Sequence, residues 1–434
     1  MSQCQANDDL PLTETSAPGD QDAVAGVVQK AWREETPLYP IGGGTQLSYG
    51  ARASVPGLGL SMAGLNRVVD YPARDLTITV EAGVTIAELA QRLAKQGQRL
   101  PIDVPCSSHA TVGGAVAAGV AGPRQFRWGT MRDYVIGVRA IDGTGTAFSG
   151  GGRVVKNAAG YDLCRLLTGS YGTLGVIVQV TLMVKPRPET SAFVIGEVPD
   201  CDAAERLLAG LVQTRTLPTA VELLTGPQWR NVGWVSDPTS TASAPGRVGD
   251  PSYPLCIAVG LEGSADEVQW MVAQLHEEWR AAGVGSMVTV AGEHADPLWD
   301  RLAGFSAGPS PTNGDRALTA KINVLPSAVA RLVHRLRELD PQASIQAHAG
   351  NGVIIARLSV GPGDAAAMVD RRLRPEVTST GGHMVVLAQP AGSDLSRQAL
   401  FGPVPAGWPV MQSLKRQFDP KGILNRGRFL VGDD

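Results

Sequence analysis

Residues 39–50 read YPIGGGTQLSYG, an apolar approach followed by three consecutive glycines, Gly42, Gly43 and Gly44, and then Thr45 and Gln46. Glycine loses more conformational freedom on folding than any other residue, so three together mark a sharp turn or a close approach to the backbone. Successive N–H groups in such a turn also form a nest that suits an anion, typically a phosphate. A second stretch of this kind, SSHATVGGAVAAG, occupies residues 107–119. Neither is followed by Gly-Lys-Ser/Thr, which excludes the phosphate loop of nucleotide hydrolases. Neither is a GxGxxG that opens a helix directly from a strand, so a Rossmann site is also a poor match. Taken alone, each turn is equally compatible with a purely structural role.

The flanking sequence places both turns in an α/β setting. Residues 75–83, DLTITVEAG, alternate as a strand. Thr85, with Glu88 three residues later and Gly97 beyond, predicts a capped helix. Residues 134–151 read as a hairpin around Asp142 and Gly143, and 172–188 as a long strand ended by Pro186 and Pro188. The segment between them, 156–172, has a helical pattern. After Pro188, helical patterns alternate with β-like ones (LCIAVGLEG, LTAKINVLP, NGVIIARLSV), which predicts an α+β region with an antiparallel sheet. The expected organisation is a disordered tail over 1–20 and a binding domain over 21–188, in two α/β subdomains of about 21–104 and 105–188. A cap domain over 189–408 follows, with a low-complexity insertion at 236–252, and then a returning segment at 409–434.

Composition excludes several functions. The 38 basic and 41 acidic residues of the 434-residue chain nearly cancel, leaving a charge of −3, and aromatics make up 5%. Nucleic-acid binding has neither a basic footprint nor stacking platforms here. The five cysteines form no CxxC pair, so neither an iron–sulfur cluster nor a zinc knuckle is encoded. Scattered thiols suit a reducing compartment, and Cys106 and Cys164 read as packing residues. The first twenty residues lack the pattern of a secretory signal, and no apolar run is long enough to span a bilayer. A cytoplasmic location is expected, with any attachment to the inner face of a membrane made through partners.

The two turns, followed in order by GSYGTLGVIVQVTL at 169–182, resemble the PCMH-type FAD-binding domain of the vanillyl-alcohol oxidase / p-cresol methylhydroxylase flavoprotein family. The resemblance covers about 22–188 and 411–429 and implies backbone donors onto an FAD pyrophosphate. Carried onto this chain, the first turn is Pro40, Ile41, Gly42, Gly43, Gly44, Thr45 and Gln46. The second is Ser108, His109, Thr111, Val112, Gly113 and Gly114, with Ala117 and Gly122 beyond it, and the third contributes Gly175 and Ile177. The runs GPR (122–124), RD (132–133) and KNAAGYD (156–162) are similar to the FAD-binding subunits of bacterial glycolate oxidases. That likeness implies a D-lactate-dehydrogenase-like flavin subunit and an iron–sulfur subunit as partners, and oxidation of glycolate to glyoxylate.

The catalytic relatives hold a metal with histidines in a HAGDGNLH-like strand. Here residues 348–355 read HAGNGVII, so His348 remains, Asn351 replaces the acid and Ile355 the second histidine. No metal is expected from one imidazole. His383 reads either as a flavin neighbour or as a hydrogen-bonded strand-end histidine. Arg124, Arg127 and Arg132 read either as an anion clamp or as surface charges. Thr45 stands where covalent attachment needs a histidine, so the implied FAD is non-covalent. Three readings remain open at this point: a flavin subunit of a complex, a self-sufficient 2-hydroxy-acid or alcohol dehydrogenase, and a non-catalytic scaffold.

Overall fold

The computed structural model describes residues 10–152, 161–230, 232, 253–307 and 317–428. The insertion at 236–252 and the start of the helical pattern at 156–172 lie outside the described residues. The chain divides into two compact units, one formed by 1–121, 129–187 and 403–434, the other by 122–128 and 188–402.

The first unit contains strands β1 (Leu12–Ser16), β2 (Leu38–Ile41), β3 (Gly57–Ser61), β4 (Val68–Asp70), β5 (Thr77–Glu81), β6 (Gln98–Arg99), β7 (Val135–Ile141), β8 (Ala147–Gly151), β9 (Val176–Met183) and β10 (Lys185–Pro186). A parallel sheet has the order β1-β3-β2, an antiparallel sheet the order β4-β5-β9-β7-β8, and β6 pairs with β10. Helix α1 (Gln21–Glu34) is capped by Asp20 and buries Val24, Val28 and Ala31. These residues pack with Leu38, Leu60, Ile141, Val176, Ile423 and Leu424 in one cluster. Each buried Val, Leu or Ile of this cluster contributes about 1.5–3 kcal/mol through burial.

The strand at 77–81, the hairpin around Asp142 and the strand at 176–183 form as expected. Helix α2 (Ile86–Ala94) carries the reciprocal Thr85–Glu88 capping box. Two expectations are corrected. Residues 12–16 are not a disordered tail but β1, paired in parallel with β3, and Thr13 Oγ1 donates to Gly57 O at 3.1 Å. Ladder bonds to a strand some forty residues away order this polar segment. The second glycine stretch, read as a turn, is instead the start of helix α3 (Val112–Ala118). Thr111 Oγ1 accepts from Gly114 N at 3.2 Å as its N-cap.

The second unit is built on an antiparallel sheet of order β14-β11-β13-β12-β16-β17-β15-β18. Its strands are β11 (Thr190–Val198), β12 (Ala220–Thr225), β13 (Leu255–Gly263), β14 (Met287–Ala291), β15 (Ala317–Asn323), β16 (Ser344–His348), β17 (Val353–Ser359) and β18 (His383–Ala388). Alternation gives its two faces different characters. One face carries Ile345, Ala347, Ile354, Ala356, Leu318, Ala320 and Ile322, all fully buried. Register places Glu222, His348, Val353, Asn323 and His383 in a row across the other face, and Gln346, Ile355, Lys321 and Val385 in the next.

Candidate functional site

The first glycine turn leaves β2 and lies against the segment that enters α3. A Cβ on Gly43 would overlap the His109 carbonyl, and one on Gly42 the Thr111 hydroxyl. Gly44 has φ of 72°, in the left-handed region. The close approach at the first two glycines is therefore made by the chain itself. Among the described residues, no amide from Gly42 to Gln46 donates to a protein acceptor.

In the second stretch the amides at the start of α3, residues 112–115, are committed. Val112 N donates to Val84 O and Gly113 N to Ala82 O, both at 2.8 Å, and Ala115 N donates to Thr111 O at 2.8 Å. With Gly114 N on Thr111 Oγ1, the first turn of α3 has no donor left for an anion. The expectation that Val112, Gly113 and Gly114 present amides is corrected: the start of α3 supplies a wall, whereas the amides of residues 42–46 remain without a protein acceptor among the described residues.

Two hollows adjoin here, sharing Pro40, Gly42, Thr111, Gly114, Ala117 and Tyr171 as lining. Gly43, Gly44, Thr45 and Gln46 line the first, and Gly113, Gly175 and Ile177 the second. The remaining expected residues lie elsewhere. Ile41 accepts Met62 N at 2.9 Å in the continuing ladder, and Val112 is fully buried. Ser108 Oγ and His109 Nδ1 are hydrogen-bonded to each other at 2.9 Å and line neither hollow. Gly122 belongs to the second unit.

Sequence reasoning did not nominate Tyr171, Asn425 or Arg428, which also line the larger hollow. Asn425, at φ 49°, donates from Nδ2 to Tyr171 O at 2.7 Å, and its N donates to Leu38 O at 2.9 Å. Its Oδ1 is buried without a hydrogen-bond partner. The Arg428 guanidinium donates to Leu47 O and, at 2.9 Å, to Tyr49 O. Burial raises the Tyr39 hydroxyl above its ordinary pKa, although the charges of Arg428 and Arg426 pull the other way. The only sequence signal for these tail residues was the predicted return of 409–434.

The donor set fits FAD. Its pyrophosphate is a dianion suited to unspent amides beside a guanidinium, and its ring N–H groups match the orphan acceptor of Asn425. Ala115, Ala117 and Ala118 leave a shallow apolar wall.

In the second unit, His348 Nδ1 lies 2.8 Å from Glu222 Oε1, and Gln346 Nε2 donates to Glu222 Oε2 at 2.8 Å. Glu222 and Gln346 are sealed, and His348 is 5% exposed. Ile355 shares their face, so methyl groups stand where a second imidazole would have pointed. Among the described residues, no three His, Cys, Asp or Glu side chains gather as a metal site. His383 is exposed, with Nε2 at 3.3 Å from Asn323 Nδ2. Arg124 is no clamp: its Nε donates to Glu262 Oε1 at 2.8 Å and its guanidinium stacks on Trp299. Cys106 is disulfide-bonded, a correction to its reading as a packing thiol. Burial pushes Cys164 up to about 11 and Cys256 to about 12, so both are inert thiols. No helix among the described residues is long and apolar enough to cross a membrane.

Residues 15–151 match the family described as FAD binding domain, and 187–375 with 403–429 match FAD linked oxidases, C-terminal domain. The chain is 25% identical over 441 residues to glycolate oxidase subunit GlcD of Bacillus subtilis, covering 96% of this chain and 88% of that protein. It is 39% identical over 172 residues to glycolate oxidase subunit GlcE of Escherichia coli, which covers 39% of this chain and 49% of that one. A solved alkyldihydroxyacetonephosphate synthase aligns with a TM-score of 0.67 at 16% identity, over 96% of this chain and 77% of that chain. At such identity the likeness concerns the fold alone.

Proposed function

From the premise that the chain belongs to the FAD-linked oxidases, oxidoreductases with a PCMH-type FAD-binding fold, we propose that it is the FAD-binding subunit of a glycolate-oxidase-type complex. In this reading it takes part in oxidising a 2-hydroxy acid, glycolate to glyoxylate, beside a D-lactate-dehydrogenase-like flavin subunit. Electrons pass on to an iron–sulfur subunit. The observation that carries the flavin part is the set of unspent amides at 42–46, with Arg428 and the orphan acceptor of Asn425 on the same hollow. The likeness to both GlcD and GlcE supports the multi-subunit part.

In this reading residues 42–46 hold the pyrophosphate, Arg428 neutralises part of its charge, and Asn425 accepts from a ring N–H. FAD, when bound, supplies the acceptor for the two electrons and the hydrogen of a CH–OH group. Thr45 gives no covalent anchor and the His109 ring is bonded to Ser108, so the FAD is non-covalent.

A self-sufficient 2-hydroxy-acid dehydrogenase is the second reading. The polar sheet face of the second unit favours it, because a mere carrier has no use for a buried Glu–His pair. Anaerobic addition of glycolate to the FAD-loaded chain, with and without co-expressed neighbours, separates the two. Bleaching only with neighbours supports the complex, and bleaching of the chain alone supports self-sufficiency. A chain that never binds flavin sinks both.

A further inference from the structure

A strand at the edge of a sheet presents a row of unpaired N–H and C=O groups. Folded proteins blunt such edges with charge, proline, an irregular backbone or a cover. Among the described residues, every sheet edge but one is defended in this way. β1 carries Glu14, β2 Pro40 and β4 Asp70, and β8 ends in Gly151 at φ 70°. The β6–β10 ribbon carries Arg99, Lys185 and Pro186. At one end of the long sheet, Arg374 Nη1 donates to Met384 O of β18 at 3.4 Å. The other end, β14, has no such device. Its sequence MVTVA lacks charge, proline and glycine, and its ladder with β11 runs without a bulge. Among the described residues it has a neighbouring strand on one side only.

The space around the edge is open. A Cβ built on Gly283, Gly285 or Gly292, which flank the strand, would meet no atom within 4 Å. Thr289 and Ala291 are exposed, and Met287 and Val288 are half-buried. The Thr289 hydroxyl lies 2.7 Å from His276 Nε2, a contact that uses no backbone group.

An edge of this kind is completed by another extended backbone, and its side chains indicate whose. Val288, Thr289 and Val290 read the same in both directions. When two copies of β14 meet antiparallel about a two-fold axis at Thr289, Thr289 opposes its own copy, Val288 opposes Val290, and Met287 opposes Ala291. All five residues then pair, and any shift of register leaves some of them unpaired. Opposed residues share a face, so the valines of both copies form one apolar patch and the threonines meet on the other side. Thr–Thr and β-branched pairs are favourable across strands, and no charge faces a like charge.

We propose that β14 is a dimerisation edge, at which two copies of this chain join their eight-stranded sheets antiparallel about Thr289. The inference rests on the second unit alone and is independent of the flavin reading.

Analytical ultracentrifugation of the full chain tests it. Wild type is expected to sediment as a dimer at micromolar concentration. Thr289→Lys sets like charges opposite each other at the axis and should weaken association about tenfold or more, as should Thr289→Glu. An equimolar mixture of these two variants should regain the dimer, because opposite charges then meet; a variant that merely misfolds would not recover on mixing. Thr289→Val should stay dimeric, since one β-branched pair replaces another. Hydrogen exchange at 287–291 should slow as the wild-type concentration rises. Monomeric wild type, a dimer indifferent to Thr289→Lys, or no recovery on mixing overturns the proposal. An edge that becomes protected only when a different subunit is co-expressed also overturns it, since that subunit would then be the occupant. Flavin content should be the same in all three variants and wild type. A chain that never binds flavin leaves the dimer standing, and a monomer that binds flavin leaves the functional reading standing.

Discussion

Gly43 illustrates how a residue can be chosen for one reason and serve another. Its hydrogen lets the turn lie against the His109 carbonyl, while its amide stays unspent. A side chain there is therefore a packing defect before it is a binding defect. Gly43→Ala should cost about 1–3 kcal/mol, the usual range for overpacking, seen as a lower urea midpoint of the apo chain, and should reduce flavin content at the same time. Unchanged apo stability would show that the segment at 107–111 yields easily. His348 shows the opposite relation. Its position in HAGNGVII suggested the remnant of a metal site, but its partner Glu222 lies 126 residues away and is visible only through the β12–β16 register.

At the scale of elements, what the sequence disclosed was set by how local the deciding interaction is. The capping box of α2, the 135–151 hairpin and β9 are specified by neighbours, and each was legible. β1 was not, because LTETS has no apolar alternation and gains its order from parallel pairing with β3. The commitment of the α3 amides was hidden for the same reason, since Ala82 and Val84 take them from some thirty residues back. Lys321 could be placed on a strand, but which side chains share its face depends on four ladders. The tail is the clearest case. Lys415 Nζ donates to Asp419 Oδ2 at 2.6 Å and to Thr173 O at 2.9 Å, while Asp419 accepts the amides of Ile423 and Leu424. Asp419 is 1% exposed. Removing one partner of such a buried pair leaves an uncompensated charge, so Asp419→Ala should destabilise by about 3–5 kcal/mol. The same turn carries Asn425 and Arg428 to the hollow, so flavin should be lost at denaturant concentrations where wild type retains it.

On the scale of the molecule, the first unit is assembled from three stretches of sequence and the second from two. In the proposed reading FAD binding therefore depends on residues from opposite ends of the chain, 42–46 and 425–428. A ligand that binds only the folded form stabilises it by about 2.7 kcal/mol at a hundred times its dissociation constant. That stabilisation should be concentrated where donors are unspent. Hydrogen exchange of the apo chain should be fast at 42–46, whose amides have no protein acceptor, and slow at 112–115, whose amides are bonded to Ala82, Val84 and Thr111. Adding FAD should slow exchange strongly at 42–46 and change 112–115 little. The reverse pattern would mean that α3 opens to donate and that the committed amides are exchangeable for ligand contacts. The contrast between the amides of 42–46 and those of 112–115, opposite in hydrogen-bond state, makes this measurement a direct assay of which set holds the pyrophosphate.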